Sequence, residues 1–191
     1  MGGGIAVSYE SELPSEDGCL LAFVYNQKDD ERLVVVDEKN HRHYEAPLKR
    51  GGLEPFWEGG KVYVVDHYGS LQGYTIGSDR LVAEKEETIS NISTGVVRHV
   101  AYDRGESRLY LIRTRSDDQH KIFYELSAID FPTRKTLWTK RIDDPGSLTI
   151  REPYVCVMGL KLVQVFNCDT GVKIGEIEAA KAVAAVGGSA K

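Results

Sequence analysis

Leu20-Leu21-Ala22-Phe23, Val62-Tyr63-Val64-Val65, Leu109-Tyr110-Leu111-Ile112 and Tyr154-Val155-Cys156-Val157 are short apolar clusters whose first residues stand 42, 47 and 45 positions apart. Each follows a tight-turn signal: Ser15-Glu16-Asp17-Gly18, Glu58-Gly59-Gly60, Arg104-Gly105-Glu106-Ser107 and Arg151-Glu152-Pro153. Gly, Asp and Pro supply the dihedrals that a hairpin corner needs. Spacing and turn recur together, so the chain is read as an array of repeats before anything else.

A second β-rich run follows each cluster across a loop of variable length. These runs are Leu33–Val36, Leu71–Ile76, Ile122–Ile129 and Leu162–Phe166. Short corners lead to third strands at His43–Ala46, Leu81–Glu84, Thr136–Thr139 and Lys173–Ile177. A fourth strand precedes each turn, at Ile5–Leu13, Glu54–Trp57, Val96–Tyr102 and Ser147–Ile150. Four strands per unit at this period is the signature of propeller blades. The clusters are continuously apolar rather than alternating, which suits strands covered on both faces. Val, Ile, Tyr and Thr dominate and turn signals arrive roughly every 8–12 residues, so a helical reading fails.

The expected fold is therefore all-β, with four propeller-type blades of about four antiparallel strands. The blades span about 5–46, 53–84, 96–142 and 147–178. The exception is the Ala-rich stretch Glu176–Val186, because Ala is the best helix former. It is read as a short helix or tail, with 179–191 forming an Ala/Gly-rich end.

Ala128-Ile129-Asp130-Phe131-Pro132-Thr133-Arg134-Lys135-Thr136-Leu137-Trp138 resembles quinoprotein-like and WD-like propeller repeats, the former with the pattern A-x-D-x-x-T-G-x-x-x-W. Val165-Phe166-Asn167-Cys168-Asp169-Thr170-Gly171-Val172-Lys173-Ile174 is similar to the same corner, with Thr-Gly intact and no Trp. Arg134 stands where the pattern has glycine, and the first two repeats match in strand spacing only. The resemblance covers about half the chain. In that family an indole packs between neighbouring blades, which makes Trp138 a structural residue. A quinone cofactor is not implied. Such propellers usually carry more than four blades. The chain is then a closed four-bladed ring, a half propeller completed by a second copy or another protein, or a piece of a longer protein. An open half ring would expose apolar edges that invite association.

Hydrophobic residues make up 41% and charged residues 28%, ordinary for a globular protein and not for a disordered one. The 24 basic and 29 acidic residues give a net charge of −5, which speaks against nucleic acid as the main ligand. Lys49-Arg50 and the stretch Arg134–Arg141 are local basic spots with acids close by, read as solvated surface. No apolar run approaches the ~20 residues that cross a bilayer. The start MGGGIAVSYESE lacks the features of a signal peptide. Gly2 is followed by Ala6 where myristoylation wants Ser or Thr. A cytoplasmic protein is expected, with no membrane partner. Cys19, Cys156 and Cys168 form no CxxC pair and are read as reduced packing residues.

His41 and His43 would share a face if both lay on a strand, and with Asp37 or Glu45 they could hold zinc or copper. Exposed polar residues at a corner are the plainer reading, and no metal site is expected. His67, His99 and His120 are too far apart in sequence to form a motif. Gln27-Lys28-Asp29-Asp30-Glu31 and Ser116-Asp117-Asp118-Gln119-His120 are acidic loops without calcium-loop spacing. The chain has no GxSxG elbow, P-loop or dinucleotide fingerprint. Asn91-Ile92-Ser93 fits a glycosylation acceptor, meaningful only with secretion. Phe56, Trp57, Tyr68 and Tyr74 are read mainly as packing aromatics; Trp57, beside the Gly59-Gly60 turn, is the one that could sit at a rim.

These features point to a non-enzymatic propeller scaffold that binds another protein or a second copy of itself. Asp29, Asp30, Trp57, Tyr68, Asp117, Asp118 and His120 are the candidate partner contacts. No catalytic residue and no cofactor is assigned. The rival class is a small-molecule- or metal-dependent enzyme with its site on the loop face.

Overall fold

Leu109, Tyr110, Leu111 and Ile112 are all fully buried, as a continuous apolar run in a strand covered on both faces requires. The computed structural model describes residues 20–27, 30–89 and 95–180. They fold into two compact units, Met1–Ser93 and Thr94–Lys191, each built from antiparallel sheets of propeller-blade type. The expected all-β class and the four blade-like repeats are thus present.

In the first unit, β1 (Leu20–Gln27), β2 (Asp30–Asp37) and β3 (Arg42–Pro47) form one sheet in chain order. The strand expected at Ile5–Leu13 lies outside the described residues. The second sheet contains β4 (Phe56–Glu58), β5 (Lys61–Val65), β6 (Ser70–Ile76) and β7 (Leu81–Ala83). A short β8 (Glu87–Thr88), not foreseen in the sequence, also pairs with β6. Leu33 and Val35 of β2, two apart and on one face, pack with Ala22, Val24, Tyr44 and Ala46. Against these lie Trp57, Val62, Val64, Tyr74 and Leu81 of the second sheet.

In the second unit, β9 (Val96–Asp103), β10 (Arg108–Ser116), β11 (Ile122–Asp130) and β12 (Lys135–Ile142) form the third sheet. The fourth contains β13 (Gly146–Arg151), β14 (Tyr154–Gly159), β15 (Leu162–Asn167) and β16 (Lys173–Glu178). Tyr110, Ile112, Leu126, Ala128 and Trp138 meet Val155, Val157 and Phe166 in the core between them. Glu176–Glu178 belong to β16 rather than to a helix, because Gln164, Val163 and Leu162 pair with them. Among the described residues helical geometry appears only at 179 and 180, and the rest of the stretch expected to be helical lies outside them. Among the described residues no helix is long and apolar enough to cross a membrane.

The corners explain the repeat pattern. In the third sheet Asp130 accepts the Thr133 amide at 3.0 Å as well as the Thr133 hydroxyl. In the fourth, Asn167 Oδ1 accepts the Thr170 amide at 3.0 Å and its hydroxyl at 2.9 Å. In the first, Asp37 Oδ1 accepts the Asn40 amide at 2.9 Å. The next residue in each corner turns left-handed: His41 at φ 52°, Arg134 at φ 60° and Gly171 at φ 63°. A short acceptor, a partner three positions on and a left-handed residue make one recurring corner.

Candidate functional site

The connection between β3 and β4 crosses from the first sheet to the second inside the first unit. The Leu48 amide donates to the Glu31 carbonyl at 2.8 Å and the Leu53 amide to the Val65 carbonyl at 3.0 Å. Between these anchors the loop lies tight on its surroundings. A Cβ at Gly51, where φ is +77°, would sit 2.9 Å from Glu31 Oε2 and 3.0 Å from the His67 ring. At Gly52 it would lie 2.6 Å from Leu48 and 2.8 Å from Val64. The Gly51-Gly52 pair is what lets the loop pass.

On the far wall, β7 ends at Ala83 because the Gln72 side chain intrudes. Its Nε2 donates to the carbonyls of Gly73 and Glu84. The Glu84 amide still donates to the Gly73 carbonyl at 2.9 Å, and pairing with β6 then lapses until Glu87, so Lys85 and Glu86 leave the strand. Between the loop and this interruption opens a cavity of about 380 Å³. That volume lies in the range of small-ligand and peptide side-chain pockets. Its apolar part comes from Ala46, Leu48, Val64, Tyr74 and Leu81, and its charged rim from Lys49, Arg50, Asp66, Glu84 and Glu86.

The rim charges are unequally satisfied. Glu84 is held by Lys61 Nζ at 2.8 Å. Arg50 Nη1 lies 3.4 Å from Glu86 Oε1 and 4.0 Å from Asp66 Oδ2, both loose contacts for an ion pair. Asp66 also accepts the amides of Tyr68 and Ser70, each at 2.8 Å, which closes the β5–β6 turn. Burial, and after it the Glu86 carboxylate, pushes the Tyr74 phenol above its ordinary range. Among the described residues Lys49 has no ion-pair partner. The rim thus sets three carboxylates, Asp66, Glu84 and Glu86, against three cations, Lys49, Arg50 and Lys61, around an apolar floor.

Residues selected from sequence fall elsewhere. Asp29 lies outside the described residues, as does Asn91-Ile92-Ser93. Asp30 is exposed and paired with Arg32 Nε at 2.8 Å. Trp57 is only 6% exposed and packs in the core of the first unit, so it is no rim contact. The correction has a plain cause: Trp57 faces Val62 across β4–β5, and Val62 is fully buried. Tyr68 is 65% exposed at the β5–β6 turn. Asp117 serves its own hairpin, accepting the amides of Gln119 and Lys121 at 3.0 and 2.9 Å. Asp118 and His120 are exposed in the same turn.

His41 sits in the turn before β3, not on the strand, so it does not share a strand face with His43. His43 Nε2 lies 3.8 Å from Glu45 Oε1. Among the described residues no group of three or more His, Cys, Asp or Glu could hold a metal. Burial pushes the thiols of Cys156 and Cys168 up, away from reactivity. Arg50, Asp66, Tyr74 and Glu86 were missed as a group; the glycine pair after Lys49-Arg50 was their one local signal.

No protein-family model matches the chain, and no curated protein matches it in sequence. Solved structures do match. With Sqt1 from Saccharomyces cerevisiae the TM-score is 0.59 at 11% identity, over 84% of this chain and 45% of that one. With a putative 6-phosphogluconolactonase from Bacteroides fragilis it is 0.55 at 13% identity, over 86% and 53%. With BamB from Moraxella catarrhalis it is 0.46 at 14% identity, over 86% and 62%. The chain thus spans between 45% and 62% of the length of these proteins. The first two likenesses support a β-propeller fold and, at such identity, nothing more.

Proposed function

We propose that this chain is a non-enzymatic scaffold that binds another protein through its propeller-type sheets. The observation that carries the reading is the outer face of the fourth sheet. Across it Met158 pairs with Val163 and Val163 with Ile177, while Cys156 pairs with Val165. Paired residues share a face, so these side chains form an apolar row. Met158 is 43% and Ile177 42% exposed. The opposite face, with Val155, Val157 and Phe166, is buried. Contiguous apolar surface of this kind marks a protein contact. The exposed Asp30, Tyr68, Asp118 and His120 are secondary contacts at hairpin ends, where binding residues are commonly carried.

The test introduces a photo-crosslinking residue at Met158, and separately at the exposed corner residue Lys39, in cells producing the full chain. Adducts to one protein from position 158 alone, lost in Ile177→Lys, are expected. Sedimentation of the purified chain distinguishes a second copy from a different partner. Equal adducts from both positions, or none from 158, would count against a protein contact on this face.

A further inference from the structure

We propose that the outer face of the fourth sheet docks on the first sheet of a second copy of this chain. The inference rests on the protein-binding reading above and names the partner of that face.

The recurring corners align the sheets. Their acceptors Asp37, Asp130 and Asn167 pair with Leu20, Arg108 and Tyr154 at the start of the apolar strands. Two and four residues on stand Ala22 and Val24 in the first sheet, Tyr110 and Ile112 in the third, and Cys156 and Met158 in the fourth. Within the first unit that face of the first sheet is covered by the second sheet, and within the second unit that face of the third is covered by the fourth. The cover in each case is a sheet face built on two valines of its own apolar strand, Val62 and Val64 or Val155 and Val157. The fourth sheet therefore exposes the same positions that the first and third bury beneath another sheet. A sheet of this type is the occupant that the face is shaped to receive.

The first sheet carries a covering face of its own. Leu21 and Phe23 stand at the positions of Val155 and Val157 and pair with Val36 and Val34. Leu21, Phe23 and Val36 are half-buried and lie outside the core of the first unit. The other covering faces place an aromatic ring on the neighbouring strand, Tyr74 opposite Val62 and Phe166 opposite Val155. Here that position is Val36, and the ring has moved to Phe23. The exposed face of the fourth sheet is altered in the opposite sense. Tyr44 lies opposite Val35 and Trp138 opposite Ala128, but Gly175 lies opposite Val165, with open space where its Cβ would stand. A displaced ring on one face and an empty ring position on the other complement each other, which selects a second copy over an unrelated sheet. The two faces differ, so two copies make the contact twice and close as a dimer.

The experiment compares the purified full chain with Met158→Lys and Phe23→Lys by sedimentation, each alone and the two mixed. Circular dichroism and melting check that both variants fold. The parent is expected to be a dimer. Each variant alone should associate about a hundredfold more weakly, because both contacts then bury an unpaired ammonium. An equimolar mixture should regain association, since one contact of the mixed pair is made from two unaltered faces. A monomeric parent, a variant that dimerises as the parent does, or a mixture of folded variants that stays monomeric would overturn the proposal. A photo-crosslinking residue at Met158, in an equal mixture of light and isotope-labelled chains, gives a reading that needs neither lysine variant. Mixed-label adducts to β1 or β2 are expected, and adducts within single chains alone would overturn the proposal. Adducts from Met158 to a different protein in cells leave the scaffold reading standing while the second-copy reading falls.

Discussion

Trp138 donates its indole N–H to the backbone carbonyl of Cys168 at 2.8 Å, joining β12 of the third sheet to the β15–β16 corner of the fourth. Arg108 Nη1 reaches the same carbonyl at 2.8 Å. Trp138→Phe keeps an aromatic ring in the core but removes the donor and part of the indole's volume, so it should cost about 1–3 kcal/mol. Trp138→Ala also empties the ring site and should cost about 3–5 kcal/mol. Urea unfolding followed by far-ultraviolet circular dichroism measures both. Equal losses would mean that the donor matters more than the ring.

Gly171 lies under that indole. A Cβ there would stand 2.6 Å from two ring carbons of Trp138, and φ is +63°. Gly171→Ala thus combines a left-handed alanine with a collision in a packed core. A loss of about 2–4 kcal/mol is expected, with a red-shifted Trp138 emission as the ring is displaced. Trp57 is the second tryptophan, so the comparison is cleanest in a Trp57→Phe background.

His41 and Arg134 occupy the same left-handed position in their corners, at φ 52° and 60°. For each, the Gly variant should be more stable than the Ala variant by about 1 kcal/mol, the reverse of the usual order. His41 is exposed, so His41→Gly should also be more stable than the parent. Arg134→Gly forfeits the guanidinium packed 3.8 Å over the Phe131 ring and should come out near neutral. Thermal melts of the four variants decide the point. An alanine equal to glycine at both sites would mean that the corners relax.

The corner was partly legible in the sequence. Thr170-Gly171 and the Asp130…Thr133 spacing were visible because each residue there does a local job within five positions. At Glu38-Lys39-Asn40 a corner was expected, but its likeness to the other two was hidden, since Asn40 replaces Thr and His41 replaces glycine while the backbone stays the same. Strand positions were readable for the same local reason: apolar clusters and turns recur within short windows. The cleft was not, because Arg50, Asp66, Tyr74 and Glu86 come from different segments and meet only where the chain after β7 leaves β6 beside Gln72. Trp57 shows the limit from the other side, for proximity to a turn does not decide which strand face points inward.

Glu152 and Asp103 give the last test. They are far apart in sequence but meet where the β9–β10 and β13–β14 turns approach. Asp103 Oδ2 is buried, and the Asp103 carboxylate lies within hydrogen-bond reach of the Glu152 carboxyl. The Asp103 carboxylate, helped by Glu106 and opposed by Arg108, holds the Glu152 carboxyl above its ordinary value of 4.5. Between that value and the raised one, folded Glu152 keeps a proton that the unfolded chain has released. Stability contributed by this group is therefore complete below pH 4.5 and declines as pH climbs through the interval. Glu152→Gln carries no such charge and can offer its amide N–H to Asp103 Oδ2. It should be more stable than the parent at neutral pH, with the advantage vanishing in acid. Melting curves across this range measure the difference. Parallel pH profiles for the two proteins would show that the carboxylates do not share a proton.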